Sequence, residues 1–193
     1  LILFSLNIQA DEFNISAKEI IFDKENNIVI GKGSVEVVDS EGKIIQADNV
    51  IYEKSKEHIL AEGAVKVFDI EGNILTTNKA TYDKMKELIT TFDNSEVELK
   101  GGYKLTSNII FYNTLKKTVS SNKKSIFSDL DGNIVEVSMF NYQIEKSLFS
   151  SVGKIKVVDI NKNKYFFKEM HVDTEKKEMI GSDVSAFLDE ENF

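Results

Sequence analysis

Ile59-Leu60-Ala61-Glu62-Gly63-Ala64-Val65-Lys66-Val67-Phe68-Asp69-Ile70-Glu71-Gly72-Asn73 is the stretch that decides the fold. Ile59, Ala61, Gly63, Val65 and Val67 fall on every second position, the period of a half-buried strand. Asp69 to Asn73 then reads as a turn in which Gly72 supplies a positive φ. Upstream, Ile45 and Ala47 alternate, and the parity shifts across Asp48-Asn49 to Val50 and Tyr52. A one-residue parity shift predicts a bulge or corner that bends the strand while keeping one face inward. Glu53-Lys54-Ser55-Lys56-Glu57 is a charged turn joining the two strands. Thr, Val, Ile, Tyr and Phe dominate the strand positions, and no helical period competes.

Working outward, the same pattern recurs every 30 residues. One column reads Phe22, Tyr52, Tyr82, Tyr112, Tyr142, Val172, and a second reads Val29, Ile59, Ile89, Val119, Phe149, Met179. A third reads Val37, Val67, Val97, Phe127, Val157, Phe187. A turn column of Gly42, Gly72, Gly102 and Gly132 fails only at Lys162. An acidic column three residues earlier holds Asp39, Asp69, Asp129, Asp159 and Asp189, interrupted by Leu99. Six rows stay in register without an insertion, which marks a repeat architecture rather than chance alternation. Columns of small residues (Gly31, Ala61, Thr91, Ser121, Ser151, Gly181) flanked by Tyr and Val/Ile columns suit a sheet folded sharply at a crease. The expectation is an all-β protein: 30-residue repeats of antiparallel strands stacked so that neighbours bury each other's apolar face. Periodicity alone does not choose between a packed core and an apolar trough open along one side.

The 193 residues fit one domain or one elongated array, and 41% hydrophobic content suffices for a core. A net charge of −8 argues against nucleic acid as a partner. With no Cys there is no disulfide frame and no thiolate site; with no Pro the strand ladders run uninterrupted. The start, Leu1-Ile2-Leu3-Phe4-Ser5-Leu6 leading to Ile8-Gln9-Ala10, reads as a signal-peptide remnant over residues 1–10, with the mature domain at 11–193. An ordinary first strand is the alternative.

Ala47-Asp48-x-x-x-Tyr52 followed by Ala61-Glu62-Gly63-x-Val65-x-Val67-x-Asp69-x-x-Gly72 resembles the OstA-type repeat of lipopolysaccharide-transport proteins. Residues 16–45 match nearly as well, 86–125 less so because Asp93 and Lys123 replace Gly, and the pattern returns at Gly153. The resemblance implies a β-taco, or open β-jellyroll, holding the acyl chains of lipid A. It implies carriage of lipopolysaccharide across the periplasm to the outer membrane, with domains joined edge to edge. Six rows that stop without a tail look like the N-terminal periplasmic domain of LptD cut before an outer-membrane barrel, more than a free LptA-like bridge protein. The implied groove residues are Ile59, Val65, Val67, Ile89, Val97, Val119, Phe127, Phe149, Ile155 and Val157. The implied docking edge for an LptA-like partner is the first row, at Ile15, Ala17, Ile20 and Phe22; cover by the preceding residues is the alternative.

Neither catalysis nor a cofactor is expected. His58 and His171 lie in different rows, and no Ser/His/Asp set or phosphate loop is present. Asp129-Leu130-Asp131-Gly132-Asn133 has the start of a calcium loop, but the same column recurs as turn chemistry at Asp39 and Asp69. The lysines of the charged turns (Lys54/Lys56, Lys84/Lys86, Lys116/Lys117, Lys176/Lys177) alternate with Glu, which favours local pairs over a phosphate-facing ladder. A cargo-free structural or adhesive β-solenoid with a dry core is the competing reading.

Overall fold

The computed structural model describes residues 8–9 and 13–188, so the signal-peptide reading of residues 1–10 lies almost wholly outside them. The described residues form a single antiparallel sheet whose neighbours follow chain order. Strands such as Ile28–Asp39, Ile44–Glu53, His58–Phe68 and Leu148–Val158 each run through a mid-strand irregularity. Their pairings shift register between Lys32 and Val35, Gln46 and Asn49, Glu62 and Val65, and Val152 and Ile155. These shifts line up across the sheet and fold it into a V with two walls. Residues 28–32, 49–53, 58–62 and 79–83 lie on one wall; residues 35–39, 44–46, 65–68 and 74–77 lie on the other.

At the crease Gly63 holds φ 81°, and Ala64 and Ser34 follow at 46° and 50°. Gly63 packs against the Asp48 side chain, so a Cβ there would meet both a strained backbone and an occupied space.

Both turn types repeat with the rows. At the outer end of the first wall, short 3₁₀ turns (Lys54–Lys56, Lys84–Lys86, Ile144–Lys146) end in a left-handed residue. Asn27, Glu57, Glu87, Lys117, Ser147 and Lys177 all take this role at φ 49–59°. At the outer end of the second wall the acidic column builds the turn. Asp69 Oδ1 accepts from the N–H groups of Glu71 (2.9 Å) and Asn73 (2.8 Å), and Gly72 sits at φ 92°. Asp39, Asp129 and Asp159 accept from the corresponding amide in the same way.

The inner columns form one continuous hydrophobic core from Phe13 to Met170. The third column needs a correction in its last row. Between Glu169/Ser182 and Phe166/Ser185 both strands have two residues at the crease, whereas Glu62/Val65 faces a single residue between Lys79 and Thr77. That missing bulge slips the last strand by one residue on the second wall, so Ala186 pairs with Tyr165. Phe187 consequently points outward, 61% exposed, as a one-residue slip requires.

Candidate functional site

The V brings all ten expected groove residues to its inner face. Ile59, Val65, Val67, Ile89, Val97, Val119, Phe127, Phe149, Ile155 and Val157 are between 0% and 6% exposed. The walls therefore meet over these columns in this structure, and side chains rather than open space fill the interior. Phe149 stands between Phe127 (centroids 4.8 Å apart) and Phe140 (5.8 Å), joining the two walls through aromatic contacts.

A polar seam laces the mouth of the V. Tyr82 from the first wall reaches the Asp39 turn of the second (Oη to Oδ2, 3.5 Å), and Tyr112 donates to Asp69 Oδ2 at 2.5 Å. Both pairs span 43 residues. Lys43, 5% exposed, bonds Asp39 Oδ2 (2.8 Å) and the Tyr82 hydroxyl (2.9 Å), with its ammonium 4.7 Å from the Tyr82 ring centroid. Glu87 accepts from Tyr82 (2.7 Å) and Thr114 (2.6 Å) and pairs with Lys43 and Lys84. Burial would push the Glu87 carboxyl up, but hydrogen bonds from Lys84, Thr114 and Tyr82 outweigh it and hold the group down at about 2. Burial, then Glu87, raises the Tyr82 phenol far above its ordinary range; burial, then Asp69, does so for Tyr112. Both remain hydrogen-bond donors at any physiological pH.

Of the turn lysines, Lys56, Lys86 and Lys176 pair locally with Glu53, Asp83 and Asp173. Lys84, Lys117 and Lys177 cross the mouth to Glu41, Glu71 and Asp131. These turns clamp the walls and do not form a ladder of free cations.

The Tyr–Asp pattern of the seam lapses toward the C-terminal end, where Tyr103 donates to Thr174 O (2.8 Å) and Lys177 still reaches Asp131. The position across from Tyr142 in the 43-residue pattern is Leu99, and Tyr142 instead bonds Thr174 (3.0 Å). The position across from Asp129 is Val172, which has no hydroxyl to offer. At this lapse a cavity of about 360 Å³ reaches the inner columns at Phe127, Val135 and Val157, with Met179 beside it. Sequence reasoning found the Tyr and Asp columns separately; their meeting depends on how far the walls twist past each other.

The expected docking edge is only partly free. Ile15 pairs with Val37 on one side and with Ile8 on the other, so Ile8–Gln9 covers that wall's edge, and Ile15 is buried. Glu19–Asp23, carrying Ile20 and Phe22, pairs only with Ile28–Asp39 among the described strands; Phe22 is 42% exposed, while Ala17 and Ile20 pack partly against the core. At the opposite end Glu178–Ser182 and Ser185–Phe187 likewise pair on one side only, with Ile180, Val184 and Phe187 exposed.

His171 lies on the outer face against Ser150 and Glu169. Among the described residues no group of three or more His, Asp or Glu is placed to hold a metal ion, and no helix is long and apolar enough to cross a membrane. The Asp129 carboxylate is engaged by Asn133 through both oxygens.

No protein-family description matches the chain, and no curated protein matches it. Among solved structures, it is similar to LptH of Pseudomonas aeruginosa, described as the LptA-homologous periplasmic component of the conserved lipopolysaccharide transport device. The two are 12% identical over 92% of this chain and 94% of that one, with a TM-score of 0.27. A superposition that loose carries no argument about function.

Proposed function

We propose that this chain is a lipid-carrying module of the OstA-like, lipopolysaccharide-transport type, working in the periplasm and holding lipid A acyl chains between its two walls. One observation carries the reading: the thirty-residue repeat folds into a V whose inner columns form one continuous apolar cluster from Phe13 to Met170, with small hydroxyl residues such as Thr91, Ser121 and Ser151 along the crease. Lipid entry requires the walls to part. Parting costs little in hydrophobic terms, because each inner side chain exchanges contact with the facing wall for contact with an acyl chain, worth ~0.8 kcal/mol per buried methylene. The opposing cost lies in the seam.

Within that reading, the six rows correspond to the N-terminal periplasmic domain of an LptD-like protein delivering lipopolysaccharide to the outer membrane. An LptA-like bridge protein adds a strand to the open edge. Backbone pairing supplies the docking affinity in such β-augmentation.

Mass spectrometry of lipid extracted from the purified protein tests cargo and identity together. Photo-crosslinkers at Ile59, Val67 and Phe149 are expected to capture lipopolysaccharide, and those at Glu62, Lys66 and Glu96 are not. Equal labelling of both sets sinks the reading. A closed, cargo-free solenoid is the second reading, favoured by the near-complete burial of the inner columns; it gives no copurified lipid and no labelling of either set.

A further inference from the structure

In a chain of net charge −8, one face concentrates lysine. Toward the C-terminal end the sheet parts at the crease, where Ile134–Val137 and Phe140–Gln143 are separate strands and the pairing shifts between Val152 and Ile155. A cavity of about 510 Å³ opens there, and Lys124, Lys154, Lys156 and Lys168 stand around it. Glu136 is the one carboxylate in its lining, against four ammonium groups, a local balance of +3. Glu136 is shared between Lys124 (3.0 Å) and Lys156 (3.2 Å), and Lys168 pairs with the exposed Asp183. Lys154 has no ion-pair partner among the described residues.

The floor of this cavity is apolar. Val137, Ile155 and Phe167 reach it from the inner columns and Phe166 from the outer face. Phe166 is extended by Phe187, whose ring meets it edge-on at 5.6 Å because the last strand has slipped outward. A purely solvated lysine face has no use for two exposed aromatic rings, Phe166 and Phe187, beside it. Cationic heads around an apolar floor fit an anionic amphiphile. The cavity at the seam lapse has the opposite sign: Asp129, Asp131, Asp159 and Glu178 outnumber Lys177 around it. An anionic head group is therefore repelled from the mouth and attracted to the crease.

We propose that the crease cavity binds the phosphorylated head group of an acylated lipid. The phosphate sits among Lys124, Lys154, Lys156 and Lys168, and the first part of the chain lies on Ile155, Phe166 and Phe167. The site rests on the lipid-carrying reading, because its floor belongs to the inner columns. It adds a head-group determinant that the apolar interior lacks.

The test is calorimetric titration of the whole chain with three probes: oleoyl lysophosphatidic acid, monoolein with the same tail and no charge (both below their micelle concentrations), and inorganic phosphate. Lysophosphatidic acid is expected to bind at least tenfold more tightly than monoolein, and phosphate alone not measurably at millimolar concentration. The double substitution Lys154→Gln, Lys168→Gln changes only exposed side chains; it is expected to bring lysophosphatidic acid to the monoolein level and leave monoolein unchanged. Equal binding of both lipids, indifferent to the lysines, overturns the head-group site and leaves lipid carriage standing. Binding of neither lipid overturns both. Phosphate binding as tightly as the lipid makes this a free-phosphate site and overturns the assignment. A diazirine in the lysophosphatidic acid tail is expected to label the Phe166–Phe167 peptide; labelling confined to Val172 and Met179 overturns it as well.

Discussion

Lys162 occupies the place that Gly42, Gly72, Gly102 and Gly132 hold in the other turns, and it adopts the same left-handed conformation at φ 66°. An L-residue with a Cβ pays about 1 kcal/mol there. Lys162→Gly is expected to raise the unfolding free energy by up to about that amount, and Gly72→Val to lower it by at least as much. No atom lies within 4 Å of a Cβ built on Gly72, so the loss reports backbone strain alone. Thermal melts of both variants check the pair; no change in either means that the turns do not control stability. Glu87 sets a second expectation at this scale. Its folded carboxyl titrates at about 2 against an ordinary 4.5. A depressed acid stabilises the fold fully above its unfolded pKa and loses that contribution as pH falls through the folded one. Stability should therefore decline between about pH 4.5 and pH 2 by as much as about 3 kcal/mol from this group. Glu87→Gln is expected to be less stable at neutral pH, with a flatter decline over that window in urea titrations.

At the scale of a strand, a single proline can probe the N-terminal edge. The Lys18 N–H donates to Gly33 O at 3.0 Å. Antiparallel alternation then points the amides of Ile20 and Phe22 toward the neighbouring strand and those of Glu19 and Ile21 toward the free edge. Ile21→Pro removes an edge donor without breaking the ladder behind it. It is expected to weaken docking of a partner strand at this end by tenfold or more, read by surface plasmon resonance against an LptA-like protein, while the melting temperature moves little. Unchanged affinity moves the docking site to the Ser185–Phe187 end. The strands themselves were legible beforehand because alternation and turn residues repeat: Ile59 to Val67 alternates inward as its spacing requires, and Asp69 to Asn73 closes the turn. The slip at Phe187 was not legible. It depends on how many residues each partner spends at the crease, which only the pairing reveals.

Across the whole molecule, the inner columns were readable from their thirty-residue recurrence, whereas neither the closure of the walls nor the lysine cluster was. Lys154 and Lys156 share the strand Leu148–Val158, Lys124 stands one row earlier just before Ser125–Ser128, and Lys168 comes from Lys164–Asp173; the pairing of these strands gathers the four. The seam likewise joins two columns whose 43-residue offset follows from the twist of one wall past the other. That offset exceeds one row. In a simple stacked array each unit leans only on its neighbours, and the ends unravel with equal ease. Here Tyr82 and Tyr112 each tie a row to a turn beyond its neighbour, so the central rows share their fate and come apart together. The final rows, where Leu99 and Val172 interrupt the Tyr–Asp pattern, keep ties of the same reach through Lys177 to Asp131 and Tyr103 to Thr174 O. The lacing therefore reaches the C-terminal rows as well, and an array held this way comes apart as one cooperative block rather than row by row.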